Sequence, residues 1–266
     1  MHRINDPADP RLAPYQSLKV ADDPRRERLF VAEGELVVRQ LLASPFRVQS
    51  LLLTPAKADH LAPLALANNP SAQIFVAEPG VIDRVIGYDF HRGVLALGER
   101  GPQTDPFDLA ATAPLALVAQ GVSNYDNMGG LFRTLSALAP QGSCLLVAQG
   151  CCDPLYRKVI RVSMGHALRV PFAACPIDPA TIDRLRARGL VVAALTPHPR
   201  AIDLPEAAAS LANARVALLV GAEGPGLPDD VIEASDLRIR IPMRAGVDSL
   251  NLVVAAGIAL HALHAR

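Results

Sequence analysis

Three short stretches of the sequence place polar residues and glycines where apolar runs end. The first holds Asn127, Gly129 and Arg133, and it follows the apolar run at residues 115–119. Ligands of open α/β sheets bind at the carboxyl ends of strands. The amide of Asn127 is predicted to cap the helix that starts here, and the Arg133 guanidinium can hold a phosphate or stabilise a developing oxyanion. An ordinary capped helix with a solvated arginine is the alternative explanation.

The second stretch is a glycine-rich loop that follows the apolar run ending at Val220. Its glycines are Gly221, Gly224 and Gly226, a spacing that matches neither the dinucleotide fingerprint nor the phosphate-binding P-loop. Glycines let a backbone approach a ligand closely. The acid in this loop, Glu223, is poorly suited to a phosphate and better suited to a cation or a hydroxyl donor. The alternative is a carboxylate that hydrogen-bonds to neighbouring backbone N–H groups.

The third stretch runs from Ile241 to Asn251 and is predicted to contain a strand end, a turn and the start of the last helix. Ser249 is the predicted N-cap of that helix. Asn251 is expected in the first helical turn, with its amide free to hydrogen-bond outward.

The composition is that of a folded protein of one or two domains, and we predict two. The chain has 266 residues, of which half are hydrophobic and a fifth are charged. It has neither a continuous apolar run long enough to span a bilayer nor an apolar segment at its N-terminus, so a cytoplasmic location without membrane contact is expected. Four cysteines without a C-x-x-C pattern indicate reduced thiols and no metal site.

The elements that must position these residues alternate along the chain. Turn formers and charges at residues 99–106 predict a linker between domains 1–105 and 106–266. Strand-like runs alternate with helix-compatible runs on both sides of this linker. This predicts a small α/β domain before the linker and, after it, a mostly parallel sheet covered on both faces. In the second domain strands are expected near residues 115–119, 144–148, 190–194, 215–220 and 237–241, and helices near 130–138, 154–164, 179–188, 228–234 and 249–264. The last helix has apolar residues on more than one side, which predicts a partner subunit.

The formal net charge is zero, which argues against bulk electrostatic coating of a nucleic acid. Residues 1–105 carry 12 basic and 13 acidic side chains, a net charge of −1. One stretch is basic, however. Between residues 133 and 171 there are five basic side chains and one acidic side chain, a balance of +4. The basic side chains Arg157, Lys158, Arg161 and Arg169 of this stretch could contact the phosphates of a nucleic acid, and the alternative is a solvated helix face.

The three stretches taken in order resemble the SpoU (TrmH-like) branch of the SPOUT RNA methyltransferases. The shared motif positions are Asn127, Gly129 and Arg133; Gly221, Glu223, Gly224, Gly226 and Leu227; and Ile241, Pro242, Met243, Ser249, Leu250 and Asn251. Upstream, residues 28–34 and 91–96 are similar to the small ribosomal-protein-like domain that often precedes SpoU domains. Many members carry Asp-Pro where this chain has Asn124 and Tyr125, so the loop entering the site departs from the family pattern.

The resemblance implies a fold, a cofactor and an oligomeric state. The expected fold is an α/β SPOUT domain whose C-terminal part forms a deep trefoil knot, a rare exception among folds, preceded by a small α/β substrate-binding domain. The implied cofactor, S-adenosylmethionine, would be held in the knot. The residues expected to line its site are Thr196, Leu219, Gly221, Ile241, Met243 and Leu250. Members are homodimers whose site is completed across the interface.

The implied reaction is methyl transfer to a ribose 2′-hydroxyl of RNA. The basic side chains between residues 157 and 169 are then expected to contact RNA phosphates. Arg133 is the leading catalytic candidate, with Asn127, Glu223, Ser249 and Asn251 orienting the ribose and the arginine. Ribosomal RNA is the expected substrate by analogy with members that carry the extra domain. Three alternatives remain open, namely a tRNA substrate, methylation of a base nitrogen and a catalytically inactive RNA-binding scaffold. A nucleotide-dependent oxidoreductase is disfavoured because its glycine fingerprint is missing.

Overall fold

The computed structural model describes residues 1–16, 27–90, 92–244, 246 and 249–264. His91, at the start of one of the upstream segments, lies outside these residues. The chain divides into two compact units. The first comprises Met1–Pro102 together with Leu155–Arg169, and the second comprises Gln103–Pro154 together with Val170–Arg266. The observed boundary therefore lies three residues before the predicted one, and the segment Leu155–Arg169 packs with the first unit instead of the second.

The first unit is built on a mixed five-stranded sheet. Its strands are β1 (His2–Ile4), β2 (Leu29–Glu33), β3 (Val48–Leu53), β4 (Gln73–Ala77) and β5 (Val94–Glu99). The strand order is β1-β4-β3-β5-β2, with parallel pairing among β1, β4 and β3 and antiparallel pairing of β5 with its two neighbours. Its helices are α1 (Ala13–Gln16), α2 (Glu35–Leu42), α3 (Pro55–Asn68) and α4 (Pro79–Ile86).

One face of this sheet packs under α1 and α4. Leu52, Phe75 and Leu95 of three neighbouring strands join Tyr15 of α1 and Ile82 of α4 in one apolar cluster. The Tyr15 hydroxyl lies 2.8 Å from the Ser50 hydroxyl oxygen, so the buried polar end of the ring is hydrogen-bonded.

The second unit is a seven-stranded parallel sheet with helices around it. Its strands are β6 (Leu115–Ala119), β7 (Cys144–Val147), β8 (Phe172–Ala174), β9 (Leu190–Leu195), β10 (Ile202–Asp203), β11 (Arg215–Val220) and β12 (Leu237–Arg240). Their order is β10-β12-β9-β11-β6-β7-β8, and every observed pairing is parallel. Its helices are α5 (Pro106–Thr112), α6 (Tyr125–Leu138), α8 (Pro179–Ala187), α9 (Leu204–Ser210), α10 (Asp229–Ala234) and α11 (Leu252–His264), and α7 (Arg157–Val162) belongs to the segment that packs with the first unit.

Both faces of this sheet are covered, as the continuous apolar strands predict. On one face Val118 and Leu219 pack with residues of α5, α8 and α10. The alternate residues Leu117 and Leu218, which point to the other face, are also fully buried. Helix α11 packs against α6 and α9. The parallel α/β architecture predicted from the sequence is confirmed.

No helix among the described residues is both long and apolar enough to cross a bilayer.

Candidate active site

Loops from three neighbouring strands meet at the carboxyl edge of the parallel sheet. The backbone N–H of Gln120, just after β6, donates to the carbonyl oxygen of Val220 at the end of β11 (2.9 Å). A Cβ atom at Gly121 would lie 3.1 Å from that of Ala222, and one at Gly150 would lie 3.4 Å from the Gly121 Cα. The loops after β6, β7 and β11 are therefore in van der Waals contact, where the sequence predicts a ligand site.

Helix α6 begins earlier than the sequence predicts, and its N-cap is Asn124. The Asn124 side-chain oxygen accepts from the backbone N–H groups of Asp126 (2.7 Å) and Asn127 (3.3 Å). The prediction that Asn127 caps this helix is wrong, because Asn124 already binds the first free N–H groups. Asn127 lies in the first turn, where it is buried and its side-chain amide is available for a contact outside the helix.

That contact comes from Asn251, which joins the first, second and third stretches. Its side-chain nitrogen donates to the Asn127 side-chain oxygen (3.2 Å) and to Oε1 of Glu223 (2.8 Å). Its side-chain oxygen accepts from the backbone N–H groups of Val253 (3.0 Å) and Val254 (3.4 Å). Asn251 is therefore the N-cap of α11, and the prediction of a Ser249 cap and a helix from residue 249 is wrong. Ser249 lies outside the helix and is exposed.

The glycine-rich loop owes its tight shape to its glycines. The backbone N–H of Gly226 donates to the carbonyl oxygen of Ala222 (3.0 Å). Gly224 (φ 93°) and Gly226 (φ 72°) adopt the left-handed conformation. A Cβ atom at Gly221 would lie 2.2 Å from the Gly226 carbonyl carbon, so no other residue fits there without moving the loop. This fold presents the Glu223 carboxylate to Asn251.

Helices α6 and α11 approach closely beside this cluster. A Cβ atom at Gly130 would lie 2.7 and 3.0 Å from the two methyl carbons of Val253, and one at Gly257 would lie 3.4 Å from the Thr134 methyl carbon. The absence of side chains at both glycines allows the two helix backbones to run side by side. This packing fixes the distance across which Asn251 reaches Asn127.

Arg133 lies on α6, six residues or about 1.7 turns beyond Asn127, and its side chain is exposed. It makes no hydrogen bond or ion pair within the described parts of the chain. Helical side chains lean toward the N-terminus of their helix. We therefore expect the Arg133 side chain to lean toward the cluster at the carboxyl edge of the sheet.

Three of the residues expected to line a cofactor site follow neighbouring strands directly. Thr196 follows β9, Gly221 follows β11 and Ile241 follows β12, and these strands lie in the order β12-β9-β11. The backbone N–H of Thr196 donates to the carbonyl oxygen of Ile239 (2.8 Å), which joins two of these strand ends.

The other three expected residues differ in exposure. Met243 is 37% exposed and Leu250 is partly exposed, so both can offer apolar surface to a ligand. Leu219 is fully buried inside the hydrophobic core, and its side chain therefore has no free surface for a ligand.

Gln120 is a site residue that the sequence analysis missed. Its side-chain oxygen is buried at the carboxyl edge and has no hydrogen-bond partner among the described residues. Buried acceptors are nearly always paired in native proteins, so this oxygen marks a place for a donor from a ligand or a water. The signal in the sequence was a polar residue directly after an entirely apolar strand.

The basic residues expected to contact RNA phosphates are located in the segment Leu155–Arg169 of the first unit. Nη2 of Arg157 lies 2.5 Å from Oε2 of Glu33, a carboxylate that is only 5% exposed, and the guanidinium lies 5.2 Å from the centre of the Tyr88 ring. Arg157 is therefore engaged in a buried ion pair, and the expected phosphate contact gives way to a structural role.

The remaining basic residues of this segment are more accessible than Arg157. Arg161 is exposed and makes no ion pair within the described residues. Arg169 is exposed and donates to the Gln40 side-chain oxygen (3.4 Å), and Lys158 is partly exposed.

All four cysteines lie outside disulfides, and burial favours the protonated form of their thiols. Burial raises the pKa of Cys144 and Cys175 to about 12 and that of Cys152 to about 11. The Cys151 thiol donates to the Ala119 carbonyl oxygen (3.3 Å) and braces the loop after β6. Among the described residues no group of three or more His, Cys, Asp or Glu side chains is arranged to hold a metal ion.

Comparison with known proteins finds relatives that are named as methyltransferases. The profile of the SpoU rRNA Methylase family matches residues 114–261. An uncharacterized tRNA/rRNA methyltransferase of Mycobacterium bovis is 41% identical, over 97% of this chain and 90% of its own length. The 23S rRNA (guanosine(2553)-2′-O)-methyltransferase of Bacillus subtilis is 24% identical, over 99% of each chain. The crystal structure of an AdoMet-bound rRNA methyltransferase from Sinorhizobium meliloti has a TM-score of 0.83 and 22% identity, covering 98% of this chain and 96% of its own.

Proposed function

Because the chain belongs to the SpoU rRNA Methylase family, we propose that it transfers the methyl group of S-adenosylmethionine to a ribose 2′-hydroxyl of ribosomal RNA. The observation that carries this proposal is the hydrogen-bonded set of Asn127, Glu223 and Asn251, which unites all three motifs at the carboxyl edge of the sheet. Its relatives include enzymes named as 23S rRNA 2′-O-methyltransferases.

The residues at the three strand ends fit S-adenosylmethionine. Backbone groups next to Thr196, Gly221 and Ile241 can bind its polar edges, and Met243 and Leu250 can contact its apolar parts. The unpaired oxygen of Gln120 can accept a hydrogen bond from one of its amino or hydroxyl groups. When bound, the cofactor supplies a methyl group that is already activated by the positive charge of its sulfonium.

The residues of the chain then have two tasks, to align the 2′-hydroxyl for in-line attack and to favour loss of its proton. Arg133 is almost always protonated, so its easier role is to grip the neighbouring phosphate and to stabilise the developing alkoxide. Asn127, Glu223 and Asn251 orient the ribose, and the exposed Ser249 can add a hydrogen bond from the loop before α11.

We extend the proposal to the C-terminal knot and to a homodimer. The apolar residues Val254 and Ile258 of α11 are 50% and 40% exposed, and Leu138 of α6 is 37% exposed. An apolar strip of this kind on two neighbouring helices suits a symmetric partner helix. The proposed dimer would complete each site with residues of its partner.

The first unit is proposed to bind RNA, with Arg161, Arg169 and Lys158 as its phosphate contacts. A tRNA substrate remains the second candidate, since several relatives are named as tRNA/rRNA methyltransferases. An inactive RNA-binding scaffold is disfavoured by the intact cluster of Asn127, Glu223 and Asn251. We expect the reaction to take place in the cytoplasm, where ribosomes are assembled.

Calorimetric titration with S-adenosylmethionine, followed by a methyl-transfer assay on ribosomal RNA from a deletion strain, tests the proposal. Arg133→Ala is expected to lower turnover at least 100-fold while cofactor affinity stays within about twofold. Arg133→Lys keeps the charge but loses the planar fork, and should recover only part of the rate. Unchanged turnover in Arg133→Ala would remove the arginine from the mechanism, and absence of cofactor binding by the folded wild type would favour the scaffold.

A further inference from the structure

The carboxylate of Glu233, near the end of α10, is held by three basic side chains. Its Oε1 atom pairs with Nη2 of Arg200 and lies 3.9 Å from Nε2 of His198. Its Oε2 atom lies 2.9 Å from Nη2 of Arg238, and the same Nη2 donates to the Glu233 carbonyl oxygen (3.0 Å). Glu233 is therefore fixed through both its side chain and its backbone.

The three partners lie on segments next to the expected cofactor residues. His198 and Arg200 belong to the loop that follows β9 and starts at Thr196. Arg238 belongs to β12, and Ile241 follows that strand directly. Helix α10 itself comes after the glycine-rich loop that follows β11. One carboxylate thus joins segments that adjoin the ends of all three neighbouring strands.

The loop after β9 has few other attachments. None of residues 197–200 is buried, and two of these four are prolines, which have no backbone N–H to donate. The backbone N–H of Arg200 donates to Nδ1 of His198 (3.2 Å), a bond inside the loop. Apart from bonds among residues 197–201, residues 197–200 make hydrogen bonds or ion pairs with the rest of the described chain only at Glu233.

We propose that Glu233 is a positioning residue that holds the loop after β9 in the shape that S-adenosylmethionine binds. This inference rests on the proposed function, because it takes the cofactor to bind at the ends of β9, β11 and β12. Glu233 would act through Arg200 and His198, which keep the chain just beyond Thr196 against α10.

The proposed role separates cofactor affinity from stability. The side chains of Glu233 and Arg200 are 48% and 66% exposed, and ion pairs between exposed side chains add little to folding stability. A loop that is already ordered, however, spares the binding step the cost of ordering it. We therefore expect loss of this ion pair to weaken cofactor binding and to leave the fold intact.

Two substitutions remove the connection from opposite sides. Glu233→Ala removes the carboxylate, and Arg200→Ala removes its partner in the loop while the bond between Glu233 and Arg238 stays. Asp183→Ala is the matched control, because the Asp183 carboxylate pairs with Arg186 of its own helix, α8. It too removes one exposed acid of the second unit.

Calorimetric titration with S-adenosylmethionine is the first measurement. The Kd is expected to rise about 3- to 10-fold in Glu233→Ala and in Arg200→Ala, the range expected when one or two more side chains must be ordered on binding. The double variant should bind no more weakly than the weaker single variant, because both substitutions remove the same ion pair. Asp183→Ala should bind within about twofold of wild type.

Hydrogen exchange of the ligand-free proteins measures the loop directly. The backbone amides of residues 198–201 should exchange about 3- to 10-fold faster in Glu233→Ala and Arg200→Ala than in wild type or Asp183→Ala. In methyl-transfer assays the KM for S-adenosylmethionine should rise by the same factor, while kcat at saturating cofactor stays within about twofold. Urea denaturation should give similar midpoints for Arg200→Ala, Asp183→Ala and wild type.

The possible outcomes separate the two proposals. No cofactor binding by the folded wild type would overturn both the proposed function and the role of Glu233. Cofactor binding without methyl transfer to RNA would overturn the proposed function alone, and the affinities and exchange rates would still decide the role of Glu233. Unchanged affinity and unchanged exchange in both variants would overturn only the positioning role. An equal loss of affinity in Asp183→Ala would overturn it too, because that change leaves the loop attached.

Discussion

Substitution of Gly130 by alanine tests whether close packing of α6 on α11 holds the candidate site together. The added Cβ atom would lie 2.7 and 3.0 Å from the two methyl carbons of Val253. Carbon atoms in contact prefer about 3.5–4.0 Å, so the helices must separate by about 1 Å. Rotation of Val253 gives little relief, because a β-branched side chain in a helix is nearly fixed at χ1.

The expected size of the effect follows from two opposing contributions. Gly→Ala within a helix stabilises by about 1 kcal/mol, and overpacking of this kind destabilises by about 1–3 kcal/mol. Gly130→Ala should therefore lower the free energy of unfolding by up to about 2 kcal/mol. With Val253→Ala present only the contact with the Cβ atom of residue 253 remains, at 3.4 Å. The same substitution should then stabilise by up to about 1 kcal/mol. The two changes are thus expected to be coupled by about 1–3 kcal/mol.

Urea denaturation of the four proteins of this double-mutant cycle measures the coupling. The methyl-transfer rate provides a second readout, because a 1 Å shift of α11 lengthens the bonds from Asn251 to Asn127 and Glu223. We expect Gly130→Ala to lower the rate about 10- to 100-fold, and Val253→Ala to recover most of it. Equal stabilisation by Gly130→Ala in both backgrounds would refute the packing argument.

Three further predictions concern single side chains. Arg157→Ala should destabilise the protein by up to about 3 kcal/mol, because the buried Glu33 carboxylate keeps only the exposed Arg92, whose Nε lies 3.8 Å from Glu33 Oε1. Arg161→Ala should leave stability unchanged but weaken RNA binding and flatten its salt dependence. Urea denaturation and RNA binding at several salt concentrations distinguish the two variants, and matching effects would contradict the assignment. Gln120→Leu should weaken S-adenosylmethionine binding. It should also raise the stability of the free protein by about 1 kcal/mol, because it removes an unpaired buried acceptor. A loss of both stability and cofactor affinity would instead mean that Gln120 has a structural role. Hydrogen bonds from lysine and arginine side chains lower the pKa of Glu35 to about 2 from its usual 4.5. Its ion pairs therefore stabilise the fold above pH 4.5 and are lost as the pH falls toward 2. The stability difference between wild type and Glu35→Gln should shrink over that range in acid titrations, and a constant difference would argue against the ion pairs.

The main strands of the second unit could be predicted because each is a continuous apolar run. The strand at Leu115–Ala119 has the predicted bounds, and the strands at Leu190–Leu195 and Leu237–Arg240 each differ from their predicted bounds by one residue. The short elements were missed. Helix α5 begins at Pro106, and the Asp105 side chain caps it. An Asp-Pro pair is also typical of a turn in a linker, so the sequence did not predict this helix.

The sequence predicted which residues form the candidate site but not the hydrogen bonds that join them. The motifs identify Asn127, Glu223 and Asn251, but the assignment of caps failed at both helices. Local preferences rank Asn124 and Asn127 alike as caps, and only the tertiary contact with Asn251 distinguishes them. The ion pair of Arg157 with Glu33 was equally invisible, because the two residues are 124 positions apart in the sequence.

That separation has a consequence for synthesis of the protein. The chain passes from one unit to the other three times, at residues 102–103, 154–155 and 169–170, so the first unit is not a continuous piece of chain. A ribosome adds about 5–20 residues per second, so Glu33 emerges about 6 to 25 s before its partner Arg157. For the last part of that interval the Glu33 carboxylate has only Arg92 (3.8 Å) as a counter-charge, and its shorter ion pair with Arg157 is still missing. We therefore expect the first unit to finish folding only after residues 103–154 of the second have been made. A fragment that ends at the linker should be a poor substitute for the first unit.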